Sequence, residues 1–415
     1  MSNSSNINSN SIPDKLESGK NREQIFQEFL VLANSPDATA DNPALLYKGV
    51  QNSPYEPDIN NYPIRLRYLQ NPAELLVRPY PQVGELPQIS PQGLEFIHPD
   101  IQEACICVGR LSDGKIKAHW MGRNALKKNQ FWSGTKIIPL LNIVSQLNTK
   151  FPDVDIDNCA IVDSENPQKT VSFFNAANDI VSYQNKIASS NALAAMCKRF
   201  ETWEGLELWV KKITGNQDLV FRGRYGELPY INQPRLHDLK TENVLLKAAP
   251  ETTIGDNLVT AYDLVRFISM LGWHHHLSPE SRLPGAQWDS LEPLVRAMGS
   301  DACRYIDQAI LALGLEKVVT SPTIISKLGD GFSDSRQSTE IVYVALVQFL
   351  DERPKAHNHP PVLRTISMTL RGVKSFQETN PDKIDSAKKR DAIELDARVA
   401  AEVTEIMRRV MTEEL

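Results

Sequence analysis

The sequence predicts a mixed α/β fold of the α+β kind, in which helices flank an antiparallel sheet. Segments rich in apolar and β-branched residues lie toward both ends of the chain, at residues 101–121 and 321–350, and this composition is typical of strands. Between them, apolar residues recur at the three-to-four-residue spacing of amphipathic helices. Strands at both ends with helices between them indicate helices that cover one antiparallel sheet.

Composition limits the kind of protein. The chain has 415 residues, 41% of them hydrophobic, and a net charge of −6, which allows one large domain or two ordinary ones. The negative balance argues against nucleic acid as a partner. No apolar run is long enough to cross a bilayer, so no membrane association is expected.

The chain's beginning and its cysteines predict a cytoplasmic location. Residues 1–10 are rich in Ser and Asn and lack the basic and apolar regions of a secretory signal. The cysteine count is odd and no CxxC pair occurs, so we expect free thiols in a reducing compartment. The cysteines are Cys105, Cys107, Cys159, Cys197 and Cys303.

The N-terminal part predicts little regular structure apart from one helix. Residues 1–12 have the composition of a disordered segment, and residues 22–33 show helical periodicity. Prolines recur between residues 36 and 91, which prevents long elements. We therefore expect residues 13–96 to form an irregular extension or cap on the main domain.

The main domain is expected to span residues 97–350, with a tail at 351–415. It opens with a hairpin of strands at 101–110 and 116–121 around the turn Ser112-Asp113-Gly114-Lys115. Residues 201–250 are punctuated by Gly and Pro and predict a long surface excursion. The remaining predicted elements are helices at 137–147, 192–197, 257–271, 291–313 and 385–411 and strands at 321–329 and 340–350.

The main chemical signal lies at the start of the first of these helices, in Ser133-Gly134-Thr135-Lys136. Residues three apart share a helix face, so the Ser133 hydroxyl and the Lys136 amine can meet. Burial in the apolar run behind them would lower the proton affinity of Lys136 and make it a base. The alternative is a capping serine followed by a solvated lysine. Two other Ser-x-x-Lys pairs, at 112/115 and 386/389, have no apolar run behind them.

Two further polar motifs follow in order. Ser189-Ser190-Asn191 lies 56 residues after Ser133 (189 − 133) and directly precedes a helix, and Lys327-Leu328-Gly329 lies 194 residues after it (327 − 133) on a predicted strand. In order, spacing and setting the three motifs resemble the S-x-x-K, S-D-N and K-T-G set of the serine β-lactamase and penicillin-binding protein superfamily, closest to class A. The resemblance covers residues 97–350.

This resemblance implies a five-stranded type of antiparallel sheet with an all-helical subdomain, and a role for each motif residue. Ser133 would attack a carbonyl, Lys136 would accept its proton, and Ser189, poised by Lys327, would pass a proton to the leaving group. Asn191 would bind the substrate amide. The oxyanion would lie between the N–H groups of Ser133 and Asp330, beside Gly329. Trp132, next to the nucleophile, is a candidate wall of the pocket, with a place in the core as the preferred interpretation. Ser189 and Asn191 can equally be a helix cap.

Two residues qualify the resemblance. Glu242 falls near the place of the deacylating glutamate of class A enzymes, although a solvated loop glutamate is the default interpretation. Leu328 replaces a Thr or Ser whose hydroxyl in the family helps hold a substrate carboxylate.

The resulting hypothesis is a serine hydrolase that cleaves a small-molecule or peptide-like amide or ester through an acyl-Ser133 intermediate. The alternatives are a catalytically degenerate binding or scaffold protein, motivated by Leu328 and the N-terminal extension, and an acyltransferase or cyclising enzyme of secondary metabolism. We expect no cofactor and no metal, because the adjacent His274, His275 and His276 would point in different directions. The sequence does not indicate an oligomeric state.

Overall fold

The computed structural model describes residues 21–34, 49–68, 78–183 and 186–415, so the segment predicted to be disordered, 1–12, lies outside the described residues. Within them ten α-helices form. They are α1 Arg22–Ala33, α2 Tyr62–Tyr68, α3 Ile137–Lys150, α4 Phe173–Ser182, α5 Ser190–Lys198, α6 Trp203–Thr214, α7 Ala261–Gly272, α8 Trp288–Gly299, α9 Tyr305–Ala312 and α10 Ile384–Met411. The predicted helix at 22–33 is confirmed.

Most of the strand residues belong to one antiparallel sheet of order β1-β3-β2-β12-β11-β10. The strands of the described residues are β1 Arg78–Pro79, β2 Ile101–Ser112, β3 Lys115–Arg123, β4 Cys159–Asp163, β5 Thr170–Ser172, β6 Val220–Phe221, β7 Pro234–Asp238, β8 Val244–Lys247, β9 Asn257–Leu258, β10 Val319–Ser333, β11 Ser338–Asp351 and β12 Val362–Ser375. Because β1 has only two residues, the sheet is in substance five-stranded. The predicted fold class is confirmed.

Both predicted hairpins are confirmed, and a third long strand lies between them. β2 pairs with β3 from Ala104 opposite Arg123 to Ser112 opposite Lys115, and β10 pairs with β11 in one continuous register from Thr323 to Ser333. Strand β12 fills the gap by pairing with both β11 and β2. Since β12 lies within the segment interpreted as a tail, the boundary placed at residue 350 divides the central sheet.

Helices cover both faces of this sheet. On one face α7 packs against β2, β11 and β12, with α3 in the same hydrophobic cluster. On the other face α10 packs against β11 and β12, and α1 and α9 pack on α10. Alternate residues of a strand point to opposite faces. Accordingly, Ile325 belongs to the first cluster and Leu328 to the second.

Several predicted boundaries were wrong. Residues 257–258 form β9, and α7 begins only after Thr260, whose side chain accepts a hydrogen bond from the Asp263 backbone in a capping box. The helix predicted at 291–313 is two helices, α8 and α9. The excursion at 201–250 contains the buried helix α6. The subdomain is not all-helical, because β5-β4-β7-β8 form a second sheet in it.

None of the helices in the described residues is both long enough and apolar enough to cross a membrane. The longest of them, α10, carries charged residues along its whole length.

Candidate active site

The site is built at the free edge of β10, where the turn before α3 lies against the strand. A 3-10 turn covers Trp132–Lys136 and runs directly into α3. A Cβ atom on Gly329 would lie 2.7 Å from the Ser133 nitrogen and 2.8 Å from the Gly134 nitrogen. Only glycine permits so close an approach of two backbones. The third motif therefore places β10 in contact with the backbone of Ser133.

Trp132 fixes the direction of this turn. Its backbone has φ of 42°, a left-handed conformation that is costly for a residue with a side chain. Its indole Nε1 donates a hydrogen bond of 2.8 Å to Glu340 Oε2, and its ring covers Gly331, where a Cβ would lie 2.7 Å from the indole. Glu340 is buried and also pairs with Arg336 and Arg371. The strained residue is thus held by a buried ionic network.

The Lys136 side chain lies in the interior behind Ser133. It is 1% exposed, and its Nζ donates a hydrogen bond of 2.8 Å to Ser190 Oγ. Burial, reinforced by the charge of Lys327, lowers the pKa of Lys136 to about 6. A lysine with this pKa is mostly neutral at pH 7 and can accept a proton. The expectation of a buried lysine with reduced proton affinity therefore agrees with the geometry.

Ser190, rather than Ser189, is the hydroxyl that meets the lysine. Ser189 caps α5 by accepting a hydrogen bond of 3.1 Å from the Ala192 backbone, and its own hydroxyl donates to Glu227. The expected contact of the second motif with Lys136 is therefore made by Ser190 and not by Ser189. The sequence contained an indication of this, because a serine directly before a helix is expected to use its hydroxyl to cap the helix backbone. Ser189 is in that position.

Lys327 lies on the same side of β10 as Gly329. Its Nζ is fully buried, donates to the Leu328 carbonyl over 2.9 Å, and lies 3.9 Å from the centre of the Tyr183 ring. Burial lowers the pKa of Lys327 to about 8, against the opposing influence of Asp301 and Asp330. Lys327 is close enough to act on the pKa of Lys136. The first and third motifs thus meet in space.

Asp330 presents its backbone to the edge of the sheet. The Leu328 carbonyl accepts a hydrogen bond of 2.6 Å from the Tyr183 hydroxyl, which lies outside the sheet. Backbone groups two residues apart on a strand point the same way, and the β10–β11 register is continuous through this segment. The N–H of Asp330 therefore points to the free edge of β10, next to Gly329, which lies against the Ser133 backbone.

Glu227 is a site residue that the sequence interpretation missed. It follows Gly226, which makes a turn at φ of 82°, and its carboxylate accepts hydrogen bonds from Ser189 and from Asn191 Nδ2, the latter over 3.0 Å. Its charge also acts on Lys136. In the sequence, a glutamate after a turn glycine within a long irregular segment gives little indication of a functional role.

Glu242 does not join this group. It is exposed in the turn between β7 and β8, with φ of 59°. The sequence suggested Glu242 only through its distance from a later proline. In the structure Glu242 lies in a turn of the second sheet, β5-β4-β7-β8, and not on an element that carries the three motifs.

A cavity of about 240 Å³ opens beside Ser133. Its walls are formed by residues 130–133, 135 and 136, by Asn191, by residues 224–226 and by Asn257, and thus include the predicted residues Trp132 and Asn191. The other lining residues are Gln130, Phe131, Thr135, Lys136, Arg224, Tyr225, Gly226 and Asn257. The half-buried Ser133 is thus open to a small molecule, while Lys136 behind it is shielded from bulk water.

The segment that carries Glu227 is anchored by a second buried lysine. Lys198 Nζ donates to the Gly223 carbonyl over 2.8 Å and to Asn257 Oδ1 over 2.9 Å, and its charge lies 3.7 Å from the centre of the Phe221 ring. Tyr225, in the same segment, donates a hydrogen bond of 3.3 Å to the Thr135 carbonyl. These contacts fix the loop at the mouth of the cavity.

The described residues contain no group of three or more His, Cys, Asp or Glu side chains arranged to hold a metal ion. His274 and His276 are buried, and His276 Nε2 lies 2.8 Å from the Leu66 carbonyl oxygen.

No family model and no curated protein matches the sequence. Solved structures similar to this chain include a halotolerant bacterial β-lactamase, at 14% identity over 72% of this chain and 96% of that one with a TM-score of 0.38. A β-lactamase from Streptosporangium roseum is 11% identical over 78% and 98% of the two chains, with a TM-score of 0.39. A class D β-lactamase from Sebaldella termitidis is 11% identical over 74% and 94%, with a TM-score of 0.33. At these identities the likeness concerns the fold alone.

Proposed function

We propose that this protein is a serine acyl hydrolase that cleaves an amide or ester through an acyl-Ser133 intermediate. The observation that carries the proposal is the buried Lys136, with its pKa lowered to about 6 and its Nζ 2.8 Å from Ser190 Oγ, in the wall of the same cavity as Ser133. An amine without its proton, next to a hydroxyl and away from bulk water, is poised for proton transfer.

Acylation begins with attack of Ser133 Oγ on the substrate carbonyl. The Ser133 proton moves to Lys136 Nζ as the new carbon–oxygen bond forms. The oxyanion is stabilised by the N–H groups of Ser133 and Asp330, which converge on the edge of β10. As the bond to the leaving group breaks, a proton passes from Lys136 through the Ser190 hydroxyl to the leaving nitrogen or oxygen.

Deacylation needs a water molecule and a base. Glu227 supports this step, because its carboxylate is held by Ser189 and by Asn191, a residue of the cavity wall. In our proposal Glu227 takes a proton from water as the water oxygen attacks the acyl carbon. The ester bond to Ser133 then breaks, Ser133 regains a proton and the acid product leaves. An amine acceptor in place of water would make the same site an acyltransferase.

The test is covalent labelling with a fluorophosphonate probe. We expect mass spectrometry to locate the label on Ser133, and Ser133→Ala to abolish it. Ser112→Ala is the matched control, because Ser112 precedes Lys115 by the same three residues but lies in the exposed β2–β3 turn. Hydrolysis of a chromogenic ester should fall with Ser133→Ala by on the order of 10³-fold or more.

A binding protein without turnover is the second candidate. It is favoured by Leu328, whose side chain is buried in the core on the opposite face of the sheet and offers no hydroxyl to a ligand. A well-folded protein that neither takes the probe nor hydrolyses the ester would support this candidate and contradict the first.

A further inference from the structure

Lys327 of the third motif is covered by Tyr183, the residue that follows α4. Its ring centre lies 3.9 Å from Lys327 Nζ, and its hydroxyl donates a hydrogen bond of 2.6 Å to the Leu328 carbonyl. Tyr183 has φ of 57°, a left-handed conformation that is unfavourable for a residue with a side chain. The two contacts to β10 compensate for this cost and hold the ring over the lysine.

This arrangement prevents a ligand from contacting the ammonium group of Lys327. Lys327 is 0% exposed, and the cavity beside Ser133 is lined by other residues. An ammonium under an aromatic face is stabilised by the ring electrons. A carboxylate could pair with Lys327 only after Tyr183 had been displaced. Leu328, turned into the opposite core, supplies no polar group in its place.

The charged groups beside the cavity offer little to an anion. The Glu227 carboxylate lies next to the wall, where it accepts a hydrogen bond of 3.0 Å from Asn191 Nδ2. The arginine of the wall, Arg224, pairs with Glu251 at 3.4 Å. A substrate carboxylate would thus meet the like charge of Glu227 and, in Arg224, a cation that already has a carboxylate partner.

From this geometry we infer that the substrate is an ester or amide without a carboxylate on its leaving-group side, and that Tyr183 sets this preference by covering Lys327. The inference rests on the proposed acyl-Ser133 chemistry and adds the substrate class. Tyr183 is a specificity-determining residue in this account and takes no part in proton transfer.

The experiment compares two esters of one short acyl chain, with 4-nitrophenol and with 3-carboxy-4-nitrophenol as leaving groups. Their values of kcat/KM are corrected for the difference in alkaline hydrolysis rate. We expect the wild-type protein to prefer the neutral ester by roughly tenfold or more, because like charges repel in the site. Tyr183→Ala should expose Lys327 and reduce this preference at least severalfold, mainly through KM for the anionic ester.

Two variants serve as controls. Tyr183→Phe keeps the ring over Lys327 and loses only the hydrogen bond to Leu328, so its preference should stay near that of the wild type. Phe96→Ala removes a ring that lies 4.0 Å from the Arg409 guanidinium, away from the site, and should leave both esters unaffected. Thermal melts establish that each variant is folded.

The outcomes separate the two proposals. Equal use of both esters by the wild type, with Ser133 required for each, overturns the inference and leaves the hydrolase proposal standing. If a folded Tyr183→Ala variant keeps the wild-type preference for the neutral ester, Tyr183 does not determine that preference. If neither ester reacts and no probe labels Ser133, the proposed function fails and this inference falls with it.

Discussion

In the mechanism that we propose, the state of protonation of Lys136 decides whether Ser133 can react. Burial lowers the pKa of Lys136 to about 6 and that of Lys327 to about 8. Lys136, the proposed base, must be neutral in order to accept a proton. Lys327, by contrast, is expected to act as a cation that orients Ser190. The two requirements are met together only between these pKa values.

We therefore predict a bell-shaped dependence of kcat/KM on pH. Activity should rise as pH increases through about 6, where Lys136 loses its proton, and fall as pH increases through about 8, where Lys327 does. Initial rates with a neutral ester, measured from pH 4.5 to 10 with ionic strength held constant, are the check. A flat profile across pH 5 to 7 would show that Lys136 is not the base.

Adjacent serines provide a matched pair of variants. Ser190→Ala removes the hydroxyl bonded to Lys136 and should lower kcat by about 10²- to 10⁴-fold, the usual contribution of a proton-transfer group. Ser189→Ala removes the α5 cap and should cost about 1 kcal/mol of stability with a much smaller kinetic effect. Steady-state kinetics and thermal melts on both variants decide between the two serines. The reverse pattern would restore Ser189 to the role first predicted for it.

At the level of elements, the contact between β10 and the turn before α3 positions the oxyanion donors. Gly329→Ala would place a methyl group 2.7 Å from the Ser133 nitrogen and 2.8 Å from that of Gly134, and backbone atoms cannot yield as a flexible side chain can. We expect a folded protein in which these N–H groups are displaced, with kcat lower by about 10²-fold or more.

The matched control for this variant is Gly255→Ala. Its new methyl group would meet only the Arg222 side chain, at 3.2 Å, so activity should change little. Circular dichroism and probe labelling of the two variants, side by side, test the prediction. Labelling of Gly329→Ala at the wild-type rate would count against Asp330 and Ser133 as the oxyanion donors.

The elements also show what local patterns can and cannot predict. The hairpins β2–β3 and β10–β11 follow from alternation and turn residues, which are local signals. Strand β12 was missed because the prolines at 354, 360 and 361 precede it in the sequence and indicate irregular chain. Its formation as a strand depends on pairing with β2, which is more than two hundred residues away. At the split between α8 and α9, Arg304 pairs with Asp307 three residues later and donates to the Gly299 carbonyl, and both charged side chains are fully buried.

The same distinction holds for the candidate site. The proximity of Ser133, Lys136 and Lys327 could be predicted. Each lies in or next to a regular element, and the apolar pattern of that element determines which of its faces is buried. The contact of Ser190 with Lys136 depends on which of two adjacent serines caps α5, and the position of Glu227 depends on where the excursion at 201–250 returns to the site. Glu227 reaches Asn191 only because Lys198 and Tyr225 fix that excursion from within the fold.

For the molecule as a whole, a buried amine reduces the free energy of unfolding, and this leads to the last prediction. In the unfolded chain Lys136 is protonated up to its ordinary pKa of about 10.4, whereas in the folded protein it is protonated only below about 6. Between these values the unfolded state binds more protons, so the contribution of Lys136 to stability becomes more favourable as pH increases. At pH 7 the folded protein therefore carries a cost that a nonionisable side chain of similar length would not incur.

Lys136→Met should accordingly stabilise the protein at pH 7, by about 1–2 kcal/mol, while abolishing probe labelling at Ser133. The gain, measured by denaturant unfolding of wild type and variant at pH 7 and pH 10, should shrink as pH approaches 10, because the unfolded wild type then loses the same proton. Lys388→Met is the control, since Lys388 is half-buried on α10 and pairs with the Phe332 ring. If the variant were less stable than the wild type at pH 7, Lys136 would be charged in the folded protein and could not serve as the base.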